Sequence, residues 1–188
     1  MYFKCGEIED AVQMFDKMSE RDLVSWNSMI SGFCHSEDYF DSLMIFNMMA
    51  KEHGVFPNRV GCLSALSSCA SIESWIHGRE IHGFVVKNGL ESDEFLVSGL
   101  IEMYMKCGDV RNAEHVFKSI VNKELLRRNI VIWNVMITGY ASNGGLSKAL
   151  ELFVEMLELG STPDSSTMVA ILALCSQLSD LSIGKQIH

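Results

Sequence analysis

The sequence predicts an all-α fold, a solenoid of helix–turn–helix repeats, and three observations predict it. The first is self-similarity. Met1-Tyr2-Phe3-Lys4-Cys5-Gly6 returns as Met103-Tyr104-Met105-Lys106-Cys107-Gly108, Val24-Ser25-Trp26-Asn27-Ser28-Met29-Ile30 as Val131-Ile132-Trp133-Asn134-Val135-Met136-Ile137, and Gly78-Arg79-Glu80-Ile81-His82 as Gly184-Lys185-Gln186-Ile187-His188. The three patterns differ from one another, and each recurs once in the same order. The chain is therefore a triplet of roughly 105 residues repeated, built from motifs of about 35, the period of stacked helical repeats. The second observation is helical periodicity: Leu146, Ala149, Leu150, Phe153, Met156 and Leu157 form one apolar stripe. The third is punctuation, because the apolar runs are broken at regular places by short polar or glycine-containing turns.

The elements follow in order. Each motif reads as two helices, the first apolar nearly all round and so sandwiched between neighbours, the second half polar and so outside. The first motif, 1–22, starts mid-pattern and is truncated. The second, 23–58, breaks at about Cys34–Tyr39, and the third, 59–93, at Ile72–Trp75. The fourth, 94–129, turns at Gly108–Asp109 before Val110, Ala113, Val116, Phe117 and Ile120. The fifth, 130–164, runs apolar from Ile130 to Tyr140, breaks at Asn143–Gly145 and ends on Gly160-Ser161-Thr162-Pro163-Asp164. The sixth, 165–188, is expected to break at Ser179–Leu181 and stops mid-pattern at His188. β-Branched residues are common in the first helices, but alternation is absent and the runs are too long for most strands. The repeat offset drifts by about five residues between Phe117 and Arg128, and by one near Lys51-Glu52-His53-Gly54, both expected in loops, where solenoids tolerate insertions. The two mid-pattern ends read as a fragment of a longer array, with apolar terminal faces prone to self-association.

Composition bounds the class. A chain that is 48% hydrophobic and 21% charged can bury a core. No apolar run approaches the ~18 residues of a membrane span. The six cysteines include no C-x-x-C pair, and Cys69 and Cys175 share a repeat position, as do Cys5 and Cys107. They read as small core filler in a reducing compartment. The net charge of −9 runs against ordinary phosphate attraction unless charge is segregated between faces.

Each motif ends on Asp22, Asn58, Asp93, Asn129 or Asp164, directly before an apolar helical run. All five read as N-caps, each worth ~1 kcal/mol, and a cap can carry a second role. Asn27 and Asn134 lie five residues into their motifs, inside the first helix, where asparagine is a poor helix former. Either they tie neighbouring helices together, or they face a concave surface and meet a base edge.

These residues resemble the plant pentatricopeptide repeat proteins of the PLS subclass, in which P, L and S motifs alternate. Met103–Gly108 with Ala113 and Val116-Phe117 resembles an S motif, Val24–Phe33 a P motif, and Leu66–Ala70 with Gly78–Gly83 an L motif. The resemblance covers the chain as S 1–22, P 23–58, L 59–93, S 94–129, P 130–164 and L 165–188. It implies a right-handed superhelix that binds single-stranded RNA from plant organelles, mitochondrion or chloroplast, one base per repeat, with no DNA and no membrane as partners. It implies that the fifth and last residues of a motif read the base: Asn27 with Asn58, Leu63 with Asp93, Ser98 with Asn129, and Asn134 with Asp164. The second residues, Val24, Val60, Phe95 and Val131, would wedge against the bases. In order the units imply 5′-(G/U)-(C/U)-N-A-U-N-3′, with L motifs reading weakly and Val169 specifying nothing. Two departures stand out. Ser166 replaces the aliphatic wedge, and the insertion 122–127 is expected to shift Asn129 off register.

The resemblance also implies a role in organellar RNA processing, as site recognition for C-to-U editing, with editing-factor proteins as further partners. The chain itself carries no catalytic motif, so no enzyme activity, cofactor or metal is expected of it; a deaminase would lie downstream. His35-Ser36-Glu37 is an H-x-E string without the cysteines a zinc shell requires. Trp26 and Trp133 are expected to pack between units, and His82 and His188 to be core or surface residues. The competing reading is a tetratricopeptide-like scaffold for protein interaction, but W-x-x-L-G-x-x-Y is absent.

Overall fold

The structure, a computed structural model, describes residues 8–51, 55–120 and 123–187, the side chains of 123–125 and 177–187 excepted. The Met1–Gly6 motif, Cys5 and His188 lie outside the described residues. Among the described residues there are eleven α-helices and no strand: α1 (Ile8–Asp16), α2 (Leu23–His35), α3 (Tyr39–Lys51), α4 (Arg59–Ser71), α5 (Trp75–Lys87), α6 (Glu94–Lys106), α7 (Val110–Lys118), α8 (Lys123–Arg128), α9 (Ile130–Ser142), α10 (Leu146–Glu158) and α11 (Ser165–Ile187). Apart from α1, the short α8 and the terminal α11, the helices pair into hairpins, with α2/α3, α4/α5, α6/α7 and α9/α10 packed on each other.

One device ends the first helix of each hairpin, and α5 and α10 as well. In α2 the amide of Asp38 donates to the Phe33 carbonyl at 2.9 Å and that of Glu37 to Cys34 at 3.3 Å. The same pair of bonds closes α6, from Asp109 to Tyr104 and from Gly108 to Met105. This closure requires a left-handed residue just past the helix. Gly108 and Gly144 supply it without strain, whereas Glu37 (φ 65°) and Glu73 (φ 53°) hold it with a side chain. The expected breaks at Cys34–Tyr39, Ile72–Trp75, Gly108–Asp109 and Asn143–Gly145 are the observed turns.

Two expectations are corrected. No break occurs at Ser179–Leu181, where α11 runs unbroken to Ile187. A left-handed residue without glycine costs roughly 1–2 kcal/mol; at Glu73 the packing of α5 back on α4 offsets that cost, and Leu178-Ser179-Asp180 has no glycine to lower it. The insertion before Asn129 is likewise no loop: residues 123–128 form α8, which buries Leu126.

The first helices stack directly, α2 on α4, α4 on α6, α6 on α9 and α9 on α11. Successive second helices make no such close backbone approach, and α3 meets α5 through the Phe46 and Phe84 rings at 6.0 Å. A stack tighter on one side curves toward that side, so the first helices form the concave layer. The core lies between layers. Trp26 and Trp133 are fully buried, edge-on to Phe15 at 4.9 Å and Phe117 at 5.5 Å, each on the second helix of the preceding unit. The tryptophans pack between units, as expected.

The two tryptophans differ in one respect. Trp133 donates its indole N–H to the Leu126 carbonyl of α8 at 2.7 Å, whereas the buried Trp26 indole N–H has no acceptor among the described residues. The inserted helix thus satisfies a donor that the uninserted copy leaves unmet. Units are also tied by polar bonds. Glu114 on α7 accepts from Lys148 at 2.8 Å, Tyr140 at 2.9 Å and Lys118 at 3.2 Å. Those bonds hold its carboxyl down to about 2, and burial together with Glu114 pushes the Tyr140 phenol up. Burial also pushes the Cys62 and Cys69 thiols up to about 12, which fits core filler. No described helix is long and apolar enough to cross a membrane.

Candidate nucleic-acid interface

The N-termini of the concave helices share one construction. Each unit-ending residue lies outside the helix and turns its side-chain oxygen onto the free N–H groups of the first turn. Asp22 accepts from Ser25 at 2.8 Å, Asn58 from Val60 and Gly61 at 3.1 and 3.3 Å, and Asp93 from Phe95 and Leu96 at 3.0 and 3.2 Å. Asn129 accepts from Val131 and Ile132, and Asp164 from Thr167 at 2.8 Å. All five are caps, as the sequence indicated. These bonds hold the Asp22 carboxyl low through Ser25, and the Asp164 carboxyl low through Thr167, with Asn134 contributing.

Beside each cap an apolar side chain stands in the open. Val24, Val60, Phe95 and Val131 are 48–70% exposed on otherwise buried helices. Large apolar groups left out at one repeated place need a reason. At the equivalent place α11 carries Ser166, and Val169 is also exposed. Arg59 lies over the Phe95 ring at 4.9 Å and pairs with Asp93 at 3.4 Å, which puts a cation beside that side chain.

The fifth residues lie against the next concave helix. Asn27 donates from Nδ2 to the Asn58 cap oxygen at 3.1 Å, and Asn134 donates to both Asp164 carboxylate oxygens at 3.1 and 3.3 Å. Each of these two pairs is one hydrogen-bonded unit spanning neighbouring repeats. Leu63 instead packs against Gly99, where an added Cβ would come within 2.9 Å of it. Ser98 and Asn129 are not brought together in the same way: Ser98 turns its hydroxyl back onto the Phe95 carbonyl at 2.9 Å, while Asn129 reaches Glu94 at 3.1 Å. His35 bonds the Ser31 carbonyl, and Glu37 occupies the left-handed turn.

Sequence reasoning missed two participants. Thr167, fully buried, donates to the Asn134 side-chain oxygen at 2.6 Å, and Gly61 faces the corresponding oxygen of Asn27. A signal existed for one of them: both stand three residues after a cap, the place from which a side chain reaches back to the cap's backbone N–H, as Thr167 does to Asp164 and a glycine cannot.

Stacked helical hairpins whose first helices pack on one another define the class as a helical-repeat protein. The chain belongs to the pentatricopeptide family: residues 128–176 match the PPR repeat family, and residues 1–23, 24–53 and 95–125 match the PPR repeat. It is 38% identical over its whole length to the pentatricopeptide repeat-containing protein At4g20770 of Arabidopsis thaliana, covering 24% of that protein. It is 38% identical to the chloroplastic At1g08070 and 35% to the mitochondrial At2g03380, both of Arabidopsis thaliana, each covered to 25–26%. The chain thus spans about a quarter of the length of these relatives. Its fold matches the pentatricopeptide repeat protein PPR10 in complex with an 18-nt psaJ RNA element, with a TM-score of 0.78 at 20% identity over 99% of this chain and 27% of that one. The crystal structure of the pentatricopeptide repeat protein PPR10 from maize matches with a TM-score of 0.75.

Proposed function

We propose that the chain is part of an organellar single-stranded RNA-binding array, reading bases with Asn27/Asn58, Asn134/Asp164 and, less sharply, Leu63/Asp93 and Ser98/Asn129. Val24, Val60, Phe95 and Val131 hold the bases from beside. One observation carries the reading: the same three groups, an exposed apolar side chain, a cap and a half-buried amide, occur together on α2 and again on α9, the two copies of one motif. Family membership and the RNA-bound PPR10 neighbour support it, and relatives named chloroplastic or mitochondrial support the compartment. The resemblance to PLS-type arrays extends this reading to recognition of RNA processing sites, C-to-U editing among them.

The hydrogen-bond inventory of each pair explains a base preference. The Asn58 oxygen already accepts two backbone N–H groups and the Asn27 amide, so Asn58 offers its NH2 as a donor. Cytosine presents an acceptor at N3, which that donor meets. Asp164 has acceptors only, with Oδ1 held by Thr167 and Asn134 and Oδ2 carrying the longer bond. Uracil presents N3–H, which a carboxylate accepts. Ser98 and Asn129 lack this direct pairing, so the adenine expected there is read weakly. The deciding experiment titrates the chain with short RNA oligomers that differ at one base. Asn134→Thr with Asp164 intact shifts that preference from U toward G. Binding to a peptide library and not to RNA would replace this reading with the protein-interaction scaffold.

A further inference from the structure

The two amides that resemble each other most are held differently. Asn134 Oδ1 accepts from Thr167 Oγ1 at 2.6 Å. Thr167 Oγ1 also accepts the Asp164 backbone N–H at 3.2 Å, and Thr167 returns its own N–H to Asp164 Oδ1 at 2.8 Å. Thr167 Oγ1 also lies 2.9 Å from Asp164 Oδ1, but Oδ1 already takes Thr167 N and Asn134 Nδ2, and the single hydroxyl hydrogen goes to the shorter contact, Asn134 Oδ1 at 2.6 Å. The result is a closed ring of bonds among three side chains, with Thr167 fully buried at its base. A flipped Asn134 amide would set its oxygen against a carboxylate and lose the hydroxyl. The Asn134 amide thus has one orientation.

Asn27 has the same neighbour on one side, donating to Asn58, and nothing equivalent on the other. The residue three after the cap is Gly61, and Asn27 Oδ1 is buried beside it without a donor among the described residues. A buried acceptor left unpaired is costly, and its amide is held from one end only.

We propose that Thr167 is a positioning residue for base selection by Asn134 and Asp164, and that the third residue of the following unit sets how strictly each reader pair discriminates. A hydroxyl there locks the amide and the carboxylate, giving strict selection of uracil; glycine leaves the amide held from one side, giving the looser choice between C and U. This rests on the base-reading role proposed above for the same pairs.

The test uses the full natural chain and RNA oligomers that differ only at the base facing Asn134 or only at the base facing Asn27. Thr167→Val removes the hydroxyl and keeps the shape. The U-over-C affinity ratio at the Asn134 base falls about fivefold, one hydrogen bond's worth, while the ratio at the Asn27 base stays at the wild-type value. Thr167→Ser keeps the wild-type ratio. If Thr167→Val does not fold by far-ultraviolet circular dichroism, Thr167→Ala against Thr167→Ser gives the same comparison at a smaller volume. An unchanged ratio in the Val or Ala variant, or an equal loss of affinity for every oligomer, overturns the positioning role and leaves the reader assignment standing. A wild-type chain with no base preference at Asn134 overturns both.

Discussion

At the residue scale, the last residue of a unit does two jobs with different atoms. Asp164 caps α11 with one carboxylate oxygen and keeps acceptor capacity on the other. Asn58 caps α4 with its amide oxygen and keeps a donor. Asp164→Asn should therefore preserve the cap, since both residues are good caps, and reverse the hydrogen-bonding sense presented to the base. Preference at that base moves from U to C, by about tenfold or more for a well-formed pair; competition between labelled oligomers reads it. Ser98 shows the opposite case. Its hydroxyl is spent on its own helix, on the Phe95 carbonyl, and the neighbouring cap reaches Glu94. Glu94→Gln, which keeps the hydrogen bond to Asn129 and removes the charge beside a phosphate-bearing ligand, is expected to raise RNA affinity modestly without altering base preference.

Elements differ in how well their ends and donors are satisfied, and those differences predict stability. Trp133→Phe deletes a buried hydrogen bond to the α8 carbonyl and leaves that carbonyl to Ser161, so it should cost about 1 kcal/mol beyond the lost ring area. Trp26→Phe deletes a donor that has no partner among the described residues, and it should cost less than its counterpart. Paired thermal melts of the two variants check the order. Glu73 holds a left-handed turn that Gly108 and Gly144 make without strain. Glu73→Gly should stabilise the chain by about 1 kcal/mol, a rise of roughly 2–4 °C in Tm for a protein of this size. A fall in Tm would show that the Glu73 side chain contributes more than its backbone strain removes.

On the scale of the whole molecule, charge governs binding and acid sensitivity. With a net charge of −9, attraction to phosphate is weak, and stacking with a few bases must carry the affinity. Binding by these repeats is expected to be detectable at about 50 mM salt and lost near 200 mM. Acid acts through Glu114, which joins α7 to α9 and α10. Its carboxyl sits near 2 in the folded chain against an ordinary 4.5. A depressed carboxyl contributes fully above its unfolded value, so this stabilisation is complete above pH ~4.5 and is lost as pH falls from there toward ~2. Glu114→Gln should flatten the stability profile across that window, measured by urea unfolding at several pH values.

The sequence by itself determined the fold class, the hairpin periodicity and four of the turns, because a repeat displays its pattern more than once and because glycine, capping residues and apolar stripes act locally. It also marked Asn27, Asn134 and the five caps as unusual, since polar residues on an apolar helix are visible without coordinates. Contacts between repeats were not legible. That Leu126 of an apparent loop insertion folds into α8 and accepts from Trp133, that Ser98 turns away from Asn129, and that Thr167 closes a ring with Asn134 and Asp164 all depend on which groups meet once the repeats stack. Local propensity decides where a helix starts and stops. Only the tertiary stack decides which lone pair and which proton remain for a base.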